Sequence, residues 1–227
     1  MASRKEKKPT KKKEMGICTS AQLQEDFTSV VLPSFYDSEP LAPDEIEAAN
    51  VSWKSILDDT AKGYLAAKST PGFKHNSAML YFFESFYERL FDIYPNARSK
   101  FKHGLKAQGN HLCSMISMSL KMMKDEETFK KSMHDLTTRH NARGVRSIEY
   151  AFACEALFWS FERVCGESYT EVSRKAWVKI LSKMLKYIIP DSIEYEVSIK
   201  HKKTPVDAET QISPENDKSS SASLSSH

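Results

Sequence analysis

The sequence predicts an all-α domain. Apolar residues recur in steps of three and four along six stretches, no stretch shows sustained alternation, and proline, glycine or a helix-starting acid stands at the breaks between them.

The first predicted helix starts at Pro43-Asp44-Glu45, where proline and two acids suit a first turn. Ile46, Ala49, Val51 or Trp53, Ile56 and Leu57 continue it, and the pattern can be followed to Ala67 before Ser69-Thr70-Pro71-Gly72 breaks it. A second helix follows from about Asn76. Met79, Leu80, Phe82, Phe83, Phe86, Tyr87, Leu90 and Phe91 are too many apolar residues for one surface stripe, so most of its circumference should be buried. Pro95 ends it, and a short turn leads to Phe101.

The third helix begins near Gly104, with Leu105, Gln108 and Gly109, Leu112, Ile116, Leu120 and Met123 along one face. One polar side chain, Gln108, thus looks the same way as an apolar row. The methionines at 115, 118, 122 and 123 read as adaptable core filling. Asp125-Glu126-Glu127 opens a helix that closes at His140, and two more follow at about Val145–Gly166 and Thr170–Ile189, with Pro190 expected to end the last.

The apolar share of 40% and a length of 227 residues suit one domain with a sizeable core. Both ends differ from it in composition. Residues 1–40 begin with a basic run around Lys7–Lys13, and residues 193–227 become Lys-, Pro- and Ser-rich, so both read as disordered tails around a domain at 41–192. The net charge of +3 is less than the basic excess of the first fourteen residues, so the middle is near neutral and no nucleic-acid partner is indicated. Cys18, Cys113, Cys154 and Cys165 show no CxxC spacing, which suits reduced thiols and a cytoplasmic location. Met15-Gly16-Ile17-Cys18 would be a lipidation signal at Gly16 and Cys18 only if translation began at Met15, and membrane association is expected only in that case.

The stretch from Leu136 to Val145 is the densest in chemistry. His140 closes a helix with Leu136 one turn before it, and Arg143-Gly144-Val145 breaks toward the next helix. A flat apolar cofactor held by one axial nitrogen needs that arrangement, with Leu136 and Val145 flanking it. A histidine at a helix C-terminus is equally explained by the dipole there, which favours positive charge.

Over about residues 43–190 the chain resembles the globin family, in particular the globin domain of flavohaemoglobins and bacterial single-domain globins. The residues that carry the resemblance are Trp53, the run Phe86-Tyr87-Glu88-Arg89-Leu90-Phe91, Pro95 and Phe101, then Lys106-Ala107-Gln108-Gly109 with Leu112, and Arg139-His140 with Gly144-Val145. The steps from Gln108 to His140 (32), Tyr87 to Phe101 (14) and His140 to Tyr150 (10) agree with it. Two departures stand out: an insertion around Lys68–Asn76, and a short step from Phe101 to Gln108 that leaves room for a one-turn shift placing His111 at the distal position.

The resemblance implies a three-over-three helical fold and haem b (iron protoporphyrin IX) as cofactor. It implies His140 as the metal ligand; Phe101, Leu112, Leu136 and Val145 as haem contacts; His111 near a propionate; and Tyr87 and Gln108 as distal donors to O2 or NO. The implied function is reversible binding of O2 and NO at pentacoordinate iron, for oxygen binding, storage or sensing. NO dioxygenase or another haem redox activity with a separate reductase is the alternative, and a haem-free interaction module is the third. In flavohaemoglobins the tyrosine matching Tyr150 supports the histidine together with a glutamate on the last helix; Lys183-Met184-Leu185-Lys186-Tyr187 offers none there.

Overall fold

The computed structural model describes residues 32–101 and 105–203, without the side chains of 105, 106, 202 and 203. The Met15 start with Gly16 and Cys18, and most of both tails, lie outside the described residues. Among those described there are seven α-helices and no strand: α1 (Pro43–Leu57), α2 (Lys62–Lys68), α3 (Ala78–Ile93), α4 (Leu105–Lys121), α5 (Glu126–Ala142), α6 (Glu149–Cys165) and α7 (Glu171–Lys203), with 3-10 turns at Pro95–Lys100 and Gly166–Ser168.

Helices α1, α4 and α5 form one layer over α3, α6 and α7. α1 and α5 pack on α7, α4 crosses α3, and α3 lies against α6. The core between the layers is aromatic. Trp53 of α1 meets Phe82 edge-on at 5.4 Å, and Phe161 of α6 stacks on Trp177 of α7 at 4.1 Å. Each buried indole N–H is satisfied, Trp53 by the Ser117 hydroxyl at 2.8 Å and Trp177 by that of Ser52 at 2.9 Å.

Local chemistry sets the helix starts. Asp125 caps α5 by accepting the Thr128 N–H, and Ser77 caps α3 by accepting that of Leu80. The first helix does not run to Ala67 as the periodicity suggests. It stops at Leu57, because Asp59 takes a left-handed φ of 58° and turns its carboxylate to the Ala78 N–H at 2.6 Å. The break lets α2 dock at the end of α6, where a Cβ on Gly63 would stand 2.3 Å from the Arg163 carbonyl oxygen. The expected insertion forms the connection from α2 to α3.

The last helix corrects a second expectation: α7 continues through Pro190 to Lys203. A helix-interior proline costs about 3 kcal/mol, but the turns beyond it are anchored. Ser192 is fully buried and donates to the Asn141 amide oxygen at 3.3 Å, and the Glu196 carboxylate accepts the Ser147 N–H at 2.6 Å. Packing extends beyond 41–192 at the other end too, where Phe35 meets Phe158 edge-on at 4.9 Å and the Asp37 N–H donates to Ser182.

Candidate functional site

His140 lies in the last turn of α5. Its Nδ1 stands 2.8 Å from the Leu136 carbonyl oxygen. A carbonyl only accepts, so Nδ1 carries the proton and Nε2 keeps its lone pair. Burial holds the imidazole below its ordinary pKa against the opposing pull of that hydrogen bond, and Arg143 and Arg139 add to the depression. At neutral pH the ring is therefore a neutral nitrogen base of fixed tautomer. Leu136 and Val145, on either side of it in sequence, are half-buried.

Behind the ring stands Tyr150, 5.9 Å between centroids, with a buried hydroxyl that has no hydrogen-bond partner. Burial first, then the nearby carboxylates of Glu149, Glu196 and Asp191, raise its pKa, so it stays a phenol. The Lys183–Tyr187 stretch offers no glutamate, but α7 continues past it and brings Glu196 into the neighbourhood of Tyr150. Its carboxylate accepts the Ser147 N–H.

Tyr87 of α3 is 3% exposed, edge-on to Phe101 at 5.1 Å and stacked on Phe91 at 5.9 Å. Its pKa is raised by burial and then by the neighbouring Cys113 thiol, itself pushed up to about 12 by burial, so the hydroxyl keeps its proton. On α4, Gln108 and Leu112 are half-buried and His111 is exposed. Gly109 sits at the crossing with α3, where a Cβ would be 2.4 Å from the Phe83 ring. That crossing fixes the rotation of α4 and turns Gln108, not His111, inward. The side chains of Leu105 and Lys106 lie outside the described residues.

The structure therefore brings Tyr87 to Phe101 and His140 to Leu136 and Tyr150, while α4 and α5, which carry Gln108 and His140, scarcely touch. The donor set suits haem: one neutral histidine with a free lone pair, half-buried apolar side chains around it, and two neutral donors on other helices. Sequence reasoning missed the polar group between the two corners, Lys100, Glu149, Tyr94 and Arg146. Only the Arg146–Glu149 spacing at the start of α6 hinted at it.

An open cleft of about 630 Å³ lies elsewhere, at the insertion, lined by Phe73, His75, Tyr81, Glu84 and Arg163 among others. Within or beside it His75 Nδ1 lies 3.1 Å from a Glu84 carboxylate oxygen, and Arg163 pairs with Glu88 at 3.0 Å.

An all-helical fold with one tautomer-fixed, neutral histidine and two neutral hydrogen-bond donors on other helices is compatible with a haem protein. The globin family model matches residues 84–188, from the middle of α3 into α7, and this match supports a globin family member. No curated protein matches it. Globins bind haem and, through it, diatomic gases.

Proposed function

We propose that this globin binds O2 and NO reversibly at a haem b whose iron is held by His140. The observation that carries the reading is the Nδ1–H to Leu136 hydrogen bond, which orients the imidazole and leaves Nε2 as a ligand. Phe101, Leu112, Leu136 and Val145 would hold the porphyrin faces, with His111 at the rim. When bound, haem supplies an iron with one coordination position open to a diatomic ligand.

Around that position Tyr87 and Gln108 donate hydrogen bonds and the neighbouring aromatic rings exclude water. The tyrosine keeps its proton because ionising it in a buried site is unfavourable. Hydrogen bonds to a partly charged acceptor contribute about 1.5–3 kcal/mol each, enough to slow ligand release ten- to hundredfold. The buried, unpaired thiols Cys113, Cys154 and Cys165 support a reducing, cytoplasmic setting.

The alternative, an NO dioxygenase served by a separate reductase, draws on Tyr150 and Glu196 beside the proximal histidine. Reversible binding is favoured because His140 donates to a neutral carbonyl and the Tyr150 hydroxyl makes no bond that would pass negative charge to the ring. An absorption spectrum of the haemin-reconstituted, reduced chain tests the proposal: a five-coordinate ferrous spectrum that converts to a stable oxy form is expected. No Soret band would refute haem binding, and oxy-haem consumed by NO with sustained turnover from added reductase would favour the enzyme.

A further inference from the structure

One ammonium group ties together the chain neighbours of Phe101, Val145 and Tyr150. Lys100, at the end of the 3-10 turn, precedes Phe101; its Nζ donates to the carbonyl of Gly144, which precedes Val145. The same Nζ lies 3.0 Å from Oε1 and 2.8 Å from Oε2 of Glu149, which precedes Tyr150. The Lys100 and Glu149 side chains are 19% and 7% exposed. The carboxylate also accepts the Tyr94 hydroxyl at 2.9 Å and meets Arg146 Nε at 3.4 Å, and the Tyr94 ring lies flat on Phe152 at 4.8 Å. The corner before α4 is thus tied to the corner before α6.

A largely buried ion pair is a poor source of net stability, because desolvation offsets most of its Coulomb attraction. What it offers over an apolar contact is fixed geometry. Here it ties the backbone next to Phe101 to the backbone next to Val145 and Tyr150. Moving the Pro95–Lys100 turn, and Phe101 with it, away from the start of α6 would break the bonds of Lys100 to Gly144 and Glu149 together.

We propose that Lys100 and Glu149 are positioning residues that set haem retention, a clasp whose opening lets the haem leave. The inference rests on the haem reading above. It concerns how fast haem is lost, and does not involve the strength of ligand binding at the iron.

The test is the rate at which the full, haemin-loaded chain gives up haemin to excess apomyoglobin, measured beside its unfolding rate and O2 affinity. Lys100→Met should lose haemin at least tenfold faster, and Glu149→Gln should act in the same direction. The double variant should be no faster than Lys100→Met, since both changes break one pair, and Lys100→Arg should stay close to wild type. O2 affinity should change less than twofold, because Tyr87 and Gln108 are untouched. If Glu149→Gln does not fold, the double variant, which removes both charges, keeps the comparison with Lys100→Met. A wild-type rate in Lys100→Met overturns the clasp, as does haemin loss that merely tracks the unfolding rate. A wild-type chain that takes up no haemin overturns the haem reading, and the clasp with it.

Discussion

The two sides of the candidate pocket are held by different physics. The proximal side, α5 with the start of α6 and the end of α7, is fixed by directional bonds, His140 to Leu136, Ser192 to Asn141 and Ser147 to Glu196, and the Lys100 clasp ties it to the corner before α4. The distal side is fixed by ring packing, with Phe83 against Gly109 and Tyr87 among Phe86, Phe91 and Phe101. The difference matches what each side has to do. An axial ligand requires one orientation of one ring, which hydrogen bonds supply, whereas a distal donor requires dryness around a proton, which close packing supplies.

The sharpest way to break the comparison is to remove the proximal ring. His140→Ala should abolish haem retention, or leave a chain whose spectrum returns when imidazole is added. Haem content and spectrum identical to wild type would show that the axial nitrogen comes from elsewhere.

The equivalent change on the distal side is steric. Gly109→Ala places a methyl 2.4 Å from the Phe83 ring, so α4 must shift or the ring must leave its rotamer. We expect a loss of about 1–3 kcal/mol in denaturant unfolding, partly relieved by Phe83→Leu. An unchanged unfolding midpoint would mean that α3 and α4 do not cross at this residue.

How much of this was legible in the sequence follows the same division. The aromatic density of Phe82 to Phe91, the Gln108-Gly109 pair and the His140 break can be read from spacing, because period and packing are local properties of a helix. Two boundaries could not be read. Periodicity carries past Leu57 because Asp59 breaks the helix through a bond to Ala78, nineteen residues on. Pro190 reads as a stop, and only the contacts of Ser192 and Glu196 with distant residues override it. The clasp was illegible for a further reason: a lysine and a glutamate 49 residues apart look like any solvated pair until the fold buries them.

The next effect sharpens the distal half. Gln108→Leu should speed O2 release roughly tenfold, the equivalent of about 1.4 kcal/mol of lost hydrogen bonding, and Tyr87→Phe should act in the same direction. Stopped-flow displacement of O2 measures both. A six-coordinate ferrous spectrum that His111→Ala, and not Gln108→Leu, converts to five-coordinate would mean that α4 is rotated in solution, with the exposed His111 turned in.

The smallest effect is confined to acid and belongs to the proximal half. Burial alone would raise the Glu149 carboxyl, but the Lys100 and Tyr94 hydrogen bonds outweigh it and hold the group below its ordinary value of 4.5. Above that value Glu149 is charged in both the folded and the unfolded chain, so the contribution of its depressed pKa to stability is fully present. As pH falls below it the unfolded chain takes up the proton first, and the contribution is gone once pH has passed through the folded value. Glu149→Gln should therefore be less stable than wild type at neutral pH, with the gap between their unfolding midpoints narrowing below about pH 4.5. A gap that stays constant through that range would show that the carboxylate draws no net stabilisation from Lys100, leaving the clasp a matter of geometry alone.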